Sequence, residues 1–305
     1  MNGPELRVDL GGMKLRNPVL TASGTFGYGT EFSPFLDLRS LGGFVAKSLT
    51  LEPRQGNPPP RIAETPAGML NAIGLENVGV DAFVAEKLPA LPEGVAVVAS
   101  VFETEVERYA EACKRLTGAP RVVGIEVNAS CPHVRSGGIE FGQSPELLAG
   151  LVRAVRRATS LPLMLKLSPN VTHIAEMARV CEGEGADALA LVNTIQALDV
   201  DVETRRPVLR NVLGGLSGPA IRPVALRMVW QASRAVGLPI CGIGGITSTE
   251  DAVKFLLCGA TAVQVGTANY LNPMVAGEIV QGLEAYAVRH ELASLTELVG
   301  ALELP

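Results

Sequence analysis

The chain has 305 residues, 47% of them hydrophobic and 4% aromatic, with a net charge of -5 at pH 7. That length and apolar content fill a large core of aliphatic side chains, in one big domain or two small ones. The acidic balance argues against a general affinity for nucleic acid or anionic membranes, and no apolar run reaches the roughly 18 residues that span a bilayer.

The N-terminal MNGPELRVDLGG lacks the apolar core of a signal peptide, so a cytoplasmic location is expected. Residues 6–15, turning at Gly11-Gly12, read as a hairpin that closes a barrel floor. Strands are predicted at 18–22, 43–47, 95–101, 122–127, 163–167, 188–192, 239–243 and 262–265. Most of these runs are continuously apolar, as parallel strands buried on both faces are. Helices are predicted at 104–116, 145–158, 172–184, 221–235 and 248–258. The second of these has Ser144 as its N-cap and ends in basic residues, which suits the helix dipole. Two long connections, 50–77 and 193–217, interrupt the pattern, and connections of that length usually serve function. No repeat, low-complexity tract or linker divides the chain, so a single domain over 1–305 is expected. Eight βα units in succession predict a (β/α)8 TIM barrel. An open doubly wound sheet fits less well, because there are eight strands and no GxGxxG follows the first.

The five cysteines, Cys113, Cys131, Cys181, Cys241 and Cys258, are odd in number and contain no CxxC pair. This argues against a disulfide framework and against an intrinsic zinc or iron–sulfur site. His133, His173 and His290 form no HExxH-type pairing, and no metal is expected. Cys113, Cys181 and Cys258 fall in helix patterns and Cys241 in a strand, where each reads as a small buried hydrophobe. Cys131 differs. It lies in Asn128-Ala129-Ser130-Cys131-Pro132-His133, just past a buried strand, and the proline ends that strand. A thiol presented there is a candidate nucleophile or general base, with His133 a candidate to polarise it.

The strand ends of a barrel form its active site, and polar residues collect at these ends. Lys47 follows the second strand, Asn128 and Cys131 the fourth, Lys166 ends the fifth, and Asn193 and Thr194 follow the sixth. Gly244 and Gly245 follow the seventh, and Gly266 and Thr267 the eighth. Glycines leading into helices let backbone N–H groups approach a phosphate, at the position where barrels often bind one. This pattern does not separate flavin mononucleotide from a sugar-phosphate. Lys47 and Lys166 suit anion binding, stabilisation of a reduced flavin or a Schiff base. Asn71, Asn128 and Asn193 supply both donors and acceptors, which an amide- or imide-bearing ring needs.

Several segments then carry a family resemblance: NPVLTASGTFGYG, KSLTLEPRQGNPPPRIAETPAGMLNAIGLEN, EVNASCP, KLSPNVT, VNT, GGLSGPAIRPVALRMV, GIGGI and AVQVGTANYLNP. The chain resembles the class 1B dihydroorotate dehydrogenases, in their catalytic subunit, nearly end to end. The resemblance implies an FMN-binding barrel that oxidises dihydroorotate to orotate in pyrimidine biosynthesis. It makes Cys131 the general base that removes the C5 proton while hydride leaves for the flavin. It implies substrate contacts from Lys47, Asn71, Ala72, Ile73, Gly74, Leu75, Asn128, Asn193 and Thr194. It implies flavin contacts from Ser23, Lys47, Ser48, Asn128, Lys166, Val192, Gly218, Gly244, Gly245, Gly266 and Thr267, with Ser100 near the flavin. A homodimer, and a partner subunit with FAD and a [2Fe–2S] cluster passing electrons to NAD, are also implied.

Two positions depart from the family pattern. His133 stands where the SCPN motif has its Asn, a form familiar from flavin domains that act on uracil-like rings. Ser100 stands where the family usually has Asn. His133 keeps open a related flavin enzyme for dihydrouracil, and the residues alone keep open a Schiff-base lyase or aldolase using Lys166 on a sugar-phosphate and a barrel that binds a ligand without catalysis.

Overall fold

The computed structural model describes residues 3–130 and 141–305. Strands β1 (Val8–Leu10) and β2 (Met13–Leu15) pair antiparallel across Gly11-Gly12, as the hairpin pattern predicts. The chain then enters β3 (Val19–Thr21) and β4 (Gly43–Val45). It makes an excursion through β5 (Ile62–Thr65) and β6 (Gly68–Asn71), then a short helix α1 (Val80–Ala82). Regular alternation follows: β7 (Val97–Val101), α2 (Val106–Leu116), β8 (Val122–Asn128), α3 (Pro145–Ala158), β9 (Leu163–Lys166), α4 (Ile174–Gly183) and β10 (Ala188–Leu191). A second excursion carries β11 (Ile195–Ala197), β12 (Val200–Asp201), β13 (Arg206–Pro207) and β14 (Gly214–Ser217). The chain ends with α5 (Arg222–Ser233), β15 (Ile240–Ile243), α6 (Thr249–Leu257), β16 (Ala262–Val265), α7 (Ala268–Leu271) and α8 (Val275–Arg289).

The eight predicted barrel strands form a closed parallel barrel, ordered β3-β4-β7-β8-β9-β10-β15-β16 and back to β3. Two units lack a full helix between their barrel strands. Short 3-10 turns at Thr30–Phe32 and Leu38–Ser40 replace a helix after β3. After β4, the helical pieces that precede β7 are α1 and a π turn at Phe83–Lys87.

Period-two alternation sorts each strand's side chains into two cores. Phe44, Val97, Ile125, Leu165, Leu189 and Val263 face outward and pack under the helices. α3 presents Leu148, Leu151, Val152 and Val155 at helical spacing, and its start is capped where Ser144 Oγ accepts from Leu147 N. Leu20, Val45, Val98, Met164, Ala188, Ala190 and Ala262 face inward, and Leu10, Met13 and Leu15 of the hairpin plug them from below. Each such side chain contributes about 1.5–3 kcal/mol on leaving water.

Three cysteines are buried as the sequence suggests: Cys113, Cys181 and Cys241. Cys258 differs, because α6 ends at Leu257 and leaves Cys258 as its half-buried C-cap.

The long connections carry structure the sequence reading did not foresee. They meet in a four-stranded antiparallel sheet ordered β11-β14-β6-β5, beside a small β12–β13 ribbon. Gly68 and Gly218 permit this meeting. A Cβ at Gly68 would stand 1.9 Å from Ser217 O, and one at Gly218 would stand 2.7 Å from Gly68 Cα.

Candidate active site

A cleft of about 630 Å³ opens at the C-terminal ends of the barrel strands. A second cleft of similar volume lies at the opposite end, lined by Gly11, Trp230, Arg234 and Cys258, and holds none of the predicted site residues. The upper cleft is where barrel chemistry is expected. One wall comes from the antiparallel sheet, through Ile62, Met69, Asn71, Gly214 and Gly215.

The predicted residues gather there from distant parts of the chain. Ser23 follows β3, Lys47 and Ser48 follow β4, and Asn71, Ala72, Ile73, Gly74 and Leu75 lie at and beyond the end of β6. Asn128 ends β8, Lys166 ends β9, and Val192, Asn193 and Thr194 follow β10. Gly218, Gly244, Gly245, Gly266 and Thr267 complete the lining. Ser100 does not line the cleft. It is fully buried below it, with its hydroxyl 2.9 Å from Ser48 Oγ and 3.0 Å from Glu126 Oε1. Cys131 and His133 lie outside the described residues.

The asparagines are oriented by one another. Asn193 Nδ2 donates to Asn128 Oδ1 at 3.1 Å, and Ser130 N donates to the same oxygen at 3.2 Å. Thr194 N donates to Asn193 Oδ1, and Asn71 Nδ2 donates to Gly215 O at 3.3 Å. Lys47 is tied through its backbone N–H to Gly27 O. Burial pushes its ammonium below the usual lysine range; Glu76 opposes that shift and Arg61 adds to it. Arg61 and Glu76 are themselves paired at 2.6 Å.

Lys166 is 5% exposed yet reaches the cleft, with Nζ donating to Ser23 Oγ at 3.1 Å. On the other side, Gly245 has φ 71°, and a Cβ there would stand 2.8 Å from Gly218 O. Its neighbour Thr247 is held by Asp251, which also pairs with Arg222 at 2.6 Å. This bare backbone, ahead of the α6 N-terminus, can cradle a phosphate. A buried ammonium, three amides and a glycine cradle in one cleft fit a flat ring that carries a phosphate arm. No cluster of three or more metal-ligating side chains occurs among the described residues.

The sequence reading missed Arg54, Asn57 and Asn170, which also line the cleft. Their only signal was position, in or near segments already quoted as motifs. Glu126 was missed as well, since a lone Glu inside an apolar strand gives no spacing pattern.

Comparison with known proteins finds relatives along the whole chain. A family model described as dihydroorotate dehydrogenase matches residues 5–286. "Dihydroorotate dehydrogenase B (NAD(+)), catalytic subunit" of Trichlorobacter lovleyi is 56% identical over 301 residues, covering 98% of this chain and 99% of that protein. The protein of the same name from Geotalea daltonii is 55% identical over 305 residues, covering 100% of both chains. That of Geobacter sulfurreducens is 53% identical over 305 residues, again with both chains covered in full.

Proposed function

Because the chain belongs to the dihydroorotate dehydrogenase family, we propose that it is the catalytic subunit that oxidises dihydroorotate to orotate in pyrimidine biosynthesis, with FMN as its cofactor. The observation that carries this reading is the single cleft in which Lys47, the three asparagines, Lys166 and the strand-end glycines converge.

FMN, when bound, supplies the acceptor for the hydride that leaves the substrate. Gly244, Gly245, Gly266 and Thr267 would hold its phosphate, and Lys166 would lie against the ring, where a cation favours the anionic reduced form. Lys47 would hold the carboxylate of the substrate, the charge a ring such as dihydrouracil lacks. Asn128, whose Oδ1 is already taken by Ser130 N and Asn193 Nδ2, would present its Nδ2 donors to a ring carbonyl. Asn71, Asn193 and Thr194 complete the ring contacts. Cys131, outside the described residues, is proposed as the base for the C5 proton, on the family resemblance.

The relatives' name, "Dihydroorotate dehydrogenase B (NAD(+)), catalytic subunit", supports a partner subunit that takes the electrons onward to NAD. We extend this to a partner carrying FAD and a [2Fe–2S] cluster, a homodimeric core and a cytoplasmic location. Among the described residues no helix is long and apolar enough to cross a membrane. Against the lyase alternative, Lys166 Nζ is engaged by Ser23 and stands 3.8 Å from the Glu126 carboxylate. An ammonium held that way is not presented as a nucleophile.

The deciding experiment is to load the purified protein with FMN, remove oxygen and add dihydroorotate. The visible flavin band is expected to bleach. Bleaching by dihydrouracil alone would transfer the assignment to the uracil-type reaction. Failure to bind FMN, together with borohydride trapping of an aldehyde substrate on Lys166, would overturn the reading in favour of a lyase.

A further inference from the structure

Glu126 is the most completely enclosed acidic side chain among the described residues, at 0% exposure. It points into the barrel from β8, one inward position below Asn128. Its Oε1 accepts from Ser23 Oγ at 2.8 Å and from Ser100 Oγ at 3.0 Å. Its Oε2 accepts from Gln264 Nε2 at 2.9 Å. Lys166 Nζ lies 3.8 Å from Oε1 and donates to Ser23 Oγ, so Ser23 bridges the two charges. Lys166 lines the cleft and Glu126 does not.

Burying a carboxylate is costly even when it is paired, and an apolar side chain of similar size often serves stability as well or better. Packing therefore does not account for this group. Its field reaches across the barrel: the Cys241 thiol is pushed up mainly by burial, and next by Glu126. Whatever occupies the cleft against Lys166 meets that ammonium together with the carboxylate behind it.

We propose that Glu126 is a positioning residue that, through Lys166, sets the reduction potential of the flavin. This deepens the assignment above and rests on it. The carboxylate has two effects with one origin. It holds the Lys166 ammonium through Ser23, and it offsets part of the positive charge that favours an anionic reduced ring. Removing its charge leaves Lys166 uncompensated, and the oxidised-to-reduced equilibrium moves toward reduction.

The test is the midpoint potential of FMN-loaded Glu126→Gln, measured against a reference dye, with the FMN affinity of each apoprotein measured by fluorescence quenching. The equilibrium constant is expected to shift about tenfold toward the reduced form, which is about 30 mV upward for a two-electron couple. Glu126→Asp keeps the charge, is the milder change for folding, and is expected to fall between wild type and Glu126→Gln. In a Lys166→Met background the effect of Glu126→Gln is expected to shrink at least threefold. A potential unchanged in the folded variants overturns the proposal, and so does a shift of the same size with or without Lys166. A wild-type protein that binds no FMN defeats the functional reading instead. One that binds FMN and bleaches with dihydroorotate, but whose potential ignores Glu126, defeats only this proposal.

Discussion

Lys47 and Cys131 bracket the chemistry at the scale of single residues. Burial holds the Lys47 ammonium below the ordinary lysine value of about 10.4. A bound carboxylate favours the charged form, so binding takes up a proton wherever free Lys47 has lost its own. Orotate affinity is therefore expected to begin falling at a pH below ~10.4, by at most about tenfold per pH unit. Titrating orotate against the flavin spectrum between neutral and alkaline pH measures this. Lys47→Arg, whose charge persists, should abolish the decline; an identical pH profile in that variant removes Lys47 from the carboxylate role. For Cys131 the expectation is kinetic. Cys131→Ser should slow flavin reduction by roughly 10²-fold or more near neutral pH, since base catalysis contributes about that much. Single-turnover reduction at the wild-type rate would exclude the thiol as base. The described cysteines form a contrast set: burial drives the Cys113 thiol up to about 12 and raises Cys181 and Cys241 as well. Under native conditions these three should resist thiol reagents, while half-buried Cys258 labels first among the four, as mass spectrometry after a timed pulse would read.

The elements show where sequence patterns carry structural information and where they do not. β16 and α3 are predicted to the residue, because an apolar run and a capped amphipathic stretch are each local signals. The sheet beside the cleft is different. β6 pairs with β14 across more than 140 residues, and β14 reads Gly-Gly-Leu-Ser, a pattern no strand propensity favours. Its glycines answer a neighbour instead: a Cβ at Gly215 would lie 2.1 Å from Thr194 Oγ1. α8 goes unpredicted although Ile279, Leu283 and Ala287 recur every fourth residue and form its buried face. Gly215→Ala follows from the close approach. It should push β14 from Thr194 and weaken orotate binding at least tenfold while far-UV circular dichroism stays native. Unchanged affinity would mean that the loop holding Thr194 yields without cost.

The whole molecule separates stability from chemistry by placing them at opposite ends of one barrel. The lumen is apolar at the bottom, where Leu10, Met13 and Leu15 of the hairpin meet Leu20, Val45, Val98 and Met164. It turns polar one layer up, at Ser100, Glu126 and Gln264, and opens into the cleft above. The strand sequences read as continuously apolar runs and do not mark the polar layer; the closed register brings Glu126 of β8 against Gln264 of β16. The division makes a prediction of its own. Met13 is fully buried, and its sulfur lies where a Cβ on Gly124 of β8 would stand only 2.4 Å away. Met13→Ala should open a cavity and cost about 2–5 kcal/mol, the range for buried large-to-small changes. The cleft lies at the other end of the strands, and effects of distant sites add with little coupling. Thermal or denaturant unfolding should therefore shift markedly, while FMN and orotate affinities at ambient temperature stay within about twofold of wild type, on the scale of the ~0.3–0.5 kcal/mol non-additivity of uncoupled sites. A matching loss of FMN affinity would mean that the plug transmits strain through the lumen, and that the two ends are a single cooperative unit.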